Sequence, residues 1–161
     1  MKIVDIMSED LIVAQMKAKE KSSAIEEVVA HIARVQPLVD QEATTKVLLE
    51  REHLASTGVG QGFAIPHGKL PQITQVVGCF SRSRQGVTFD SLDGNDVHLF
   101  FTLLAPQSAA GLHLKALARA SRLFKSHEFR ESLIAAKDGQ ELWKLICEQD
   151  EKLNLSVSSN D

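Results

Sequence analysis

The residue in this chain best placed for chemistry is His67, within Ala64-Ile65-Pro66-His67-Gly68-Lys69. Pro66 fixes its own φ and drives Ile65 toward extended geometry, so the imidazole is presented from a stiffened approach. Gly68 leaves room beside the ring. A histidine with one ring nitrogen held by a backbone carbonyl offers the other as a nucleophile, and imidazole is largely uncharged near neutral pH. A loop histidine also suits a plainer role, capping nearby carbonyls. The segment that delivers it, STGVGQGFAIPHGKL from Ser56 to Leu70, carries glycines at 58, 60, 62 and 68. That density permits positive φ and lets other groups come close to the backbone, at an entropic cost on ordering.

The familiar glycine-loop chemistries do not fit. A G-x-x-x-x-G-K-[S/T] phosphate loop fails because five residues separate Gly62 from Gly68 and Leu70 stands where the hydroxyl belongs. The G-x-G-x-x-G dinucleotide fingerprint fails because glycines 58, 60 and 62 alternate strictly and no helical pattern follows. The six histidines, at 31, 53, 67, 98, 113 and 127, form no H-x-H or H-E-x-x-H, so no local metal signature exists. A G-x-S-x-G elbow is absent too.

The elements that must position His67 can be read from periodicity. Asp10 to Ala14 reads as a short strand. Ser23-Ala24-Ile25-Glu26 reads as a capping box, followed by a helix with Ile25, Val28, Val29 and Ile32 at core spacing, ending before Pro37. A second helix runs from Asp40 to about His53. Gln75 to Phe80 and Val97 to Leu104 read as buried strands, with Val87-Thr88-Phe89 between them and a turn at Asp93-Gly94. The last third is helical. Leu114, Leu117, Ala118 and Ser121 share one face, Phe129, Leu133 and Ile134 recur in a second helix, and Leu142, Leu145 and Ile146 in a third, with Trp143 near. Phe100, Phe101 and Phe124 are expected in the core, and His31, His53, His98 and His127 at the surface or as packing residues. The expected fold is α/β (α+β), a central mixed sheet of about five strands flanked by helices on both sides. Residues 1–150 are expected to form one domain and 151–161 a frayed polar tail.

Composition narrows the function further. Of 161 residues, 43% are hydrophobic and 24% charged, ordinary values for a globular domain. Lys and Arg number 18 against 21 Asp and Glu, a net charge of −3 that leaves no basic excess for nucleic acid. The most apolar stretch, Val97 to Leu104, is far short of the about 20 residues a membrane span needs. No apolar signal core follows Met1. Cys79 and Cys147 are isolated, so a disulfide framework is not implied and a reducing cytoplasm fits best.

The run S-T-G-V-G-Q-G-F-A-I-P-H-G-K-L resembles the active-site segment of the IIA proteins of the bacterial phosphoenolpyruvate-dependent phosphotransferase system, mannitol/fructose/nitrogen class. The similarity extends over roughly Ile3 to Ile146, with Gln61 and Phe63 replacing the commoner Asn and Ile. It implies that His67 becomes phosphorylated, that His113 in Gly111-Leu112-His113-Leu114 is the second active-site histidine and stabilises the phosphoryl group, and that Arg51 does so too. A plainer role for Arg51, as a cation in the last turn of its helix, stays open. Lys69 either meets phosphate or an acidic partner, or is simply solvated.

The resemblance further implies a phosphoryl donor of the HPr type, no metal or organic cofactor, and a cytoplasmic protein that is not membrane-embedded. With no length left for a IIB domain or permease, it looks most like the stand-alone nitrogen-regulatory IIA. Such proteins signal by phosphorylation state to targets such as a potassium transporter or sensor kinase. The alternative is a sugar-transport IIA that passes phosphate to a separate fructose- or mannitol-type IIB. A module that binds partners without phosphorylation is the reading from a different class.

Overall fold

The computed structural model describes residues 1–158; residues 159–161 of the expected tail lie outside the described part. One six-stranded sheet forms the centre. Its strands are β1 (Ile12–Val13), β2 (Gly58–Gly60), β3 (Phe63–Ala64), β4 (His67–Leu70), β5 (Val77–Val87) and β6 (Val97–Pro106). The order is β1-β5-β6-β3-β2, with β4 also paired to β6. The long pair β5–β6 is antiparallel, while β3 and β4 run parallel to β6 at successive registers. Nearly every residue of β6 is buried, so both of its faces are covered, as a continuous apolar run predicts.

The helices that cover it are α1 (Lys21–Val35), α2 (Gln41–Leu54), α3 (Ala110–Leu123), α4 (His127–Ala135) and α5 (Gly139–Ser158). They form two groups: α1 packs on α2, and α5 packs on both α3 and α4. Phe80, Phe100, Phe101 and Phe124 are fully buried between these layers, and Phe124 contacts four other phenylalanine rings. The mixed architecture and helical cover agree with expectation, with one strand more than counted from the sequence.

Several local expectations are corrected. The helix expected to start with a Ser23 capping box starts earlier, at Lys21, with Glu20 as its N-cap. Glu20 is held there by a bridge to Thr88, and the Ser23 hydroxyl donates back to the Glu20 carbonyl. Glu27, not Glu26, is the carboxylate that closes the end, accepting from the amides of Lys17 and Ala18. The strand expected over Asp10 to Ala14 shortens to Ile12–Val13, because Glu9–Leu11 forms a 3-10 turn.

The expected C-terminal tail continues α5 as far as Ser158, where half-buried Leu153 still packs on the core. In α3 the buried stripe lies one position from the expected one. The buried face is His113, Ala116, Ala120 and Leu123, whereas Leu114 is 69% exposed. The segment expected as a glycine loop is largely strand, since β2, β3 and β4 all arise within it.

Candidate functional site

The glycine-rich run works by making one tight reversal and then a straight edge. Gly60, Gln61 and Gly62 all have positive φ, at 97°, 58° and 77°, which turns β2 back into β3. The turn is pinned from outside: Asp93 accepts from the Gln61 amide at 2.8 Å, and Arg130 donates to the Gln61 side-chain carbonyl at 2.7 Å. After β3 the pairing lapses at Ile65, whose amide turns to the Thr57 carbonyl; Pro66 has no N–H to donate but its carbonyl accepts from the Leu103 amide, and the chain re-enters the sheet as β4. His67 is therefore the first residue of a strand, opposite Leu103, rather than a loop residue. The room at Gly68 also has another use than expected. A Cβ there would lie 2.7 Å from Val47 Cγ1, so the glycine lets α2 sit down on β4.

The half-buried His67 ring donates its Nδ1 proton to the Ile65 carbonyl at 2.8 Å. A carbonyl can only accept, so this bond places the proton on Nδ1 and leaves Nε2 with its lone pair. The ring sits edge-on to His113, centroids 5.4 Å apart and planes at 77°. His113 lies in the first turn of α3 and is 6% exposed, and its buried Nε2 has no hydrogen-bond partner among the described residues. Both histidines line an open cavity of about 620 Å³ together with Arg51, Lys69 and Leu54. The structure thus gathers all three residues singled out from the sequence. It also gives Arg51 a present occupation, since Nη1 donates at 2.8 Å to the Ala55 carbonyl just beyond the end of α2.

Electrostatics favour neutral imidazoles. Burial holds His67 below the ordinary histidine range, the Ile65 bond opposes this, and the Arg51 charge adds to it. His113 is lowered by burial and then by His67 and Lys69. Leu54, 81% exposed, lines the cavity beside the charged Glu50, Arg51 and Lys69, and Leu112 and Leu114 are exposed on either side of His113 in α3. Among the described residues, no three His, Cys, Asp or Glu side chains are grouped to hold a metal ion, and no helix is long and apolar enough to cross a membrane. Of the other histidines, His31 meets the Asp10 carbonyl, His98 meets the Ser83 carbonyl, and both lie away from the site.

A family profile described as phosphoenolpyruvate-dependent sugar phosphotransferase system, EIIA 2, matches residues 5–149. The chain belongs to this family. EIIA 2 membership makes it a component of phosphoryl transfer. A nitrogen regulatory protein of Bradyrhizobium diazoefficiens is 39% identical over 147 residues, covering 91% of this chain and 95% of that protein. The fructose-specific EIIABC component of Bacillus subtilis is 35% identical over 93% of this chain, which spans 24% of that longer protein. Among solved structures, the nitrogen regulatory protein IIA-Ntr from Neisseria meningitidis superposes with a TM-score of 0.83 at 35% identity, covering 89% of this chain and 98% of that one.

Two features of this EIIA 2 site were missed in the sequence. Helical spacing puts Leu114 on the shared apolar face, yet it is exposed beside His113, as is Leu112. The other is Glu52, buried in the last turn of α2, a carboxylate next to Arg51 and five residues before Thr57 in the sequence.

Proposed function

We propose that this EIIA 2 chain is a phosphohistidine carrier that accepts a phosphoryl group on Nε2 of His67 from an HPr-type phosphocarrier. It would act as a nitrogen-type regulatory signal. The observation that carries the reading is the Nδ1–Ile65 bond, which leaves Nε2 as the nucleophile beside His113 and Arg51. In the transfer, the Nε2 lone pair forms the new N–P bond while the donor's N–P bond breaks, its electron pair staying on the donor imidazole. Positive charge develops on the His67 ring, and the Ile65 carbonyl stabilises it through the Nδ1 proton. Both ends are phosphoramidates, so the exchange is close to thermoneutral and needs no metal or organic cofactor, only positioning.

His113 donates a ring N–H to the phosphoryl oxygens, helped by the amides at the start of α3. Arg51 swings from the Ala55 carbonyl to a bidentate contact with the same oxygens. Exposed Leu54, Leu112 and Leu114, with Glu50, Arg51 and Lys69 at the cavity, suit brief docking of a carrier. In this reading the protein works in the cytoplasm, and its target, such as a potassium transporter or a sensor kinase, reads the phospho-state. The similarity to a fructose-specific component supports a second reading, transfer onward to a separate fructose- or mannitol-type IIB.

The test is intact-mass spectrometry after incubation with phosphoenolpyruvate, enzyme I and an HPr-type carrier. One acid-labile phosphoryl group on the wild type and none on His67→Ala is expected. An unmodified wild type would overturn the carrier role and leave a binding module. Rapid loss of the group on adding a fructose-type IIB would favour the sugar branch.

A further inference from the structure

Outside the cavity lining lies a buried carboxylate that the transfer chemistry does not use. Glu52, in the last turn of α2, is 5% exposed. It accepts from the Thr57 amide at 2.9 Å through Oε1 and 3.1 Å through Oε2, and from the Thr57 hydroxyl. Lys21 of α1 approaches its other side, with Nζ 3.4 Å from Oε2 and 5.0 Å from the centre of the Phe89 ring. The same Lys21 reaches Asp90 at 3.8 Å.

From Thr57 the bonding continues toward the reacting atom. The Thr57 carbonyl accepts from the Ile65 amide at 3.0 Å, and the Ile65 carbonyl accepts the Nδ1 proton of His67 at 2.8 Å. Three consecutive steps (Glu52 to Thr57, Thr57 to Ile65, Ile65 to His67) therefore connect the end of α2 to the ring. Residue 65 lies in the gap between β3 and β4, where sheet pairing lapses. Its amide has Thr57 as its partner, so the position of the carbonyl that fixes the ring depends on the Ser56–Thr57 corner. That corner is fixed in turn by Glu52 and by the Ser56 hydroxyl, which donates to the Phe89 carbonyl at 3.2 Å.

We propose that Glu52 is a positioning residue for phosphoryl transfer: by holding Thr57 it sets the Ile65 carbonyl and keeps His67 in the tautomer whose Nε2 is free. The inference rests on the reading of His67 as the phosphoryl acceptor. Burying a carboxylate is costly unless donors surround it, and here three donors do. Two of them come from Thr57 and one from Lys21, so the carboxylate joins α1 and α2 to the segment that presents the histidine. Glu52 never touches the phosphoryl group, and its removal acts only through the backbone. A ring that loses its carbonyl partner exchanges between Nδ1–H and Nε2–H forms, and the second form has no nucleophilic Nε2.

The experiment compares wild type, Glu52→Ala and Glu52→Gln by nitrogen-15 correlation spectra of the His67 ring and by the rate of phosphoryl uptake from an HPr-type carrier. Circular dichroism melting verifies that each variant is folded. Glu52→Ala is expected to show mixed tautomers and uptake slower by about tenfold at saturating carrier, with KM for the carrier unchanged. Glu52→Gln, whose side-chain carbonyl still accepts from Thr57, is expected to restore the single tautomer and most of the rate. A folded Glu52→Ala with the wild-type tautomer overturns the proposal, whatever its rate. Should Glu52→Ala not fold, Glu52→Asp takes its place with the same readouts and the same overturning result. If wild type takes up no phosphoryl group, the carrier reading fails, and the tautomer comparison alone still decides the role of Glu52.

Discussion

Asp150 and Glu52 are both buried carboxylates, and they hold different regions together in different ways. Asp150 of α5 accepts from Arg119 Nε at 2.9 Å and Nη2 at 2.6 Å, and from the Ile3 amide at 2.8 Å. All its partners are scaffold: α3, and the N-terminal turn. Glu52 instead spends most of its hydrogen bonds on Thr57, a corner of the segment that carries His67. The difference lies in what the neighbours do. A guanidinium clasp between helices secures packing, whereas a carboxylate on a backbone corner fixes the start of the segment that leads to His67.

The comparison can be broken from the scaffold side first. Arg119→Ala leaves Asp150 buried without its cation and is expected to cost about 3–5 kcal/mol in urea unfolding. The His67 tautomer of the protein that remains folded should not change. Because Arg119 and His113 share α3, slowed phosphoryl uptake in a folded Arg119→Ala would show that the clasp reaches the site. Next in size, His113→Ala removes one donor from the phosphoryl group and should slow uptake by about 100-fold without altering the melting temperature much.

A pH series sharpens the contrast. His67 and His113 are lowered from 6.5, so below 6.5 the unfolded chain binds more protons than the native one. Stability contributed by the two neutral rings is full above 6.5 and is lost as pH falls toward their lowered native values. Glu52 works with the opposite sign. Burial raises it from 4.5, against Thr57 and Lys21, so its ionisation lowers stability as pH rises through the window above 4.5. Urea midpoints followed across both windows should show the histidine loss flatten in His67→Ala. Phosphoryl uptake should persist below pH 6.5, where an ordinary imidazole is already largely protonated. The smallest effect on stability is expected from Arg51→Ala, which loses one bond to the Ala55 carbonyl, about 1 kcal/mol by thermal melting, while the lost phosphoryl contact slows uptake.

Much of this was legible in the sequence because it is local. The P-H-G context and the glycine run located His67, and the Asp40 cap and α2 followed from residue types alone, with Asp40 accepting from the Ala43 amide. The buried strand β6 read directly as an apolar run. What escaped is long-range. Whether the leucines of α3 face inward depends on which side of the helix meets the sheet, and periodicity fixes spacing without fixing phase. Thr57 and Glu52 find each other only because α2 ends where β2 begins. The strand character of His67 comes from pairing with β6, over thirty residues later, which no local pattern announces.

The seat of His67 at the head of β4 has a consequence for how any message could leave the molecule. The neighbouring Pro66 carbonyl accepts from the Leu103 amide at 2.9 Å, and Gly68 lies against Val47 of α2. Fastened on both sides, the backbone here has little freedom to change shape when the ring is modified. A phosphoryl group would instead add about two negative charges to a cavity otherwise lined by Val47, Leu54, Glu50, Arg51 and Lys69. The alphabet of such a switch is electrostatic potential rather than conformation, and its readers would hear it less well as ionic strength rises.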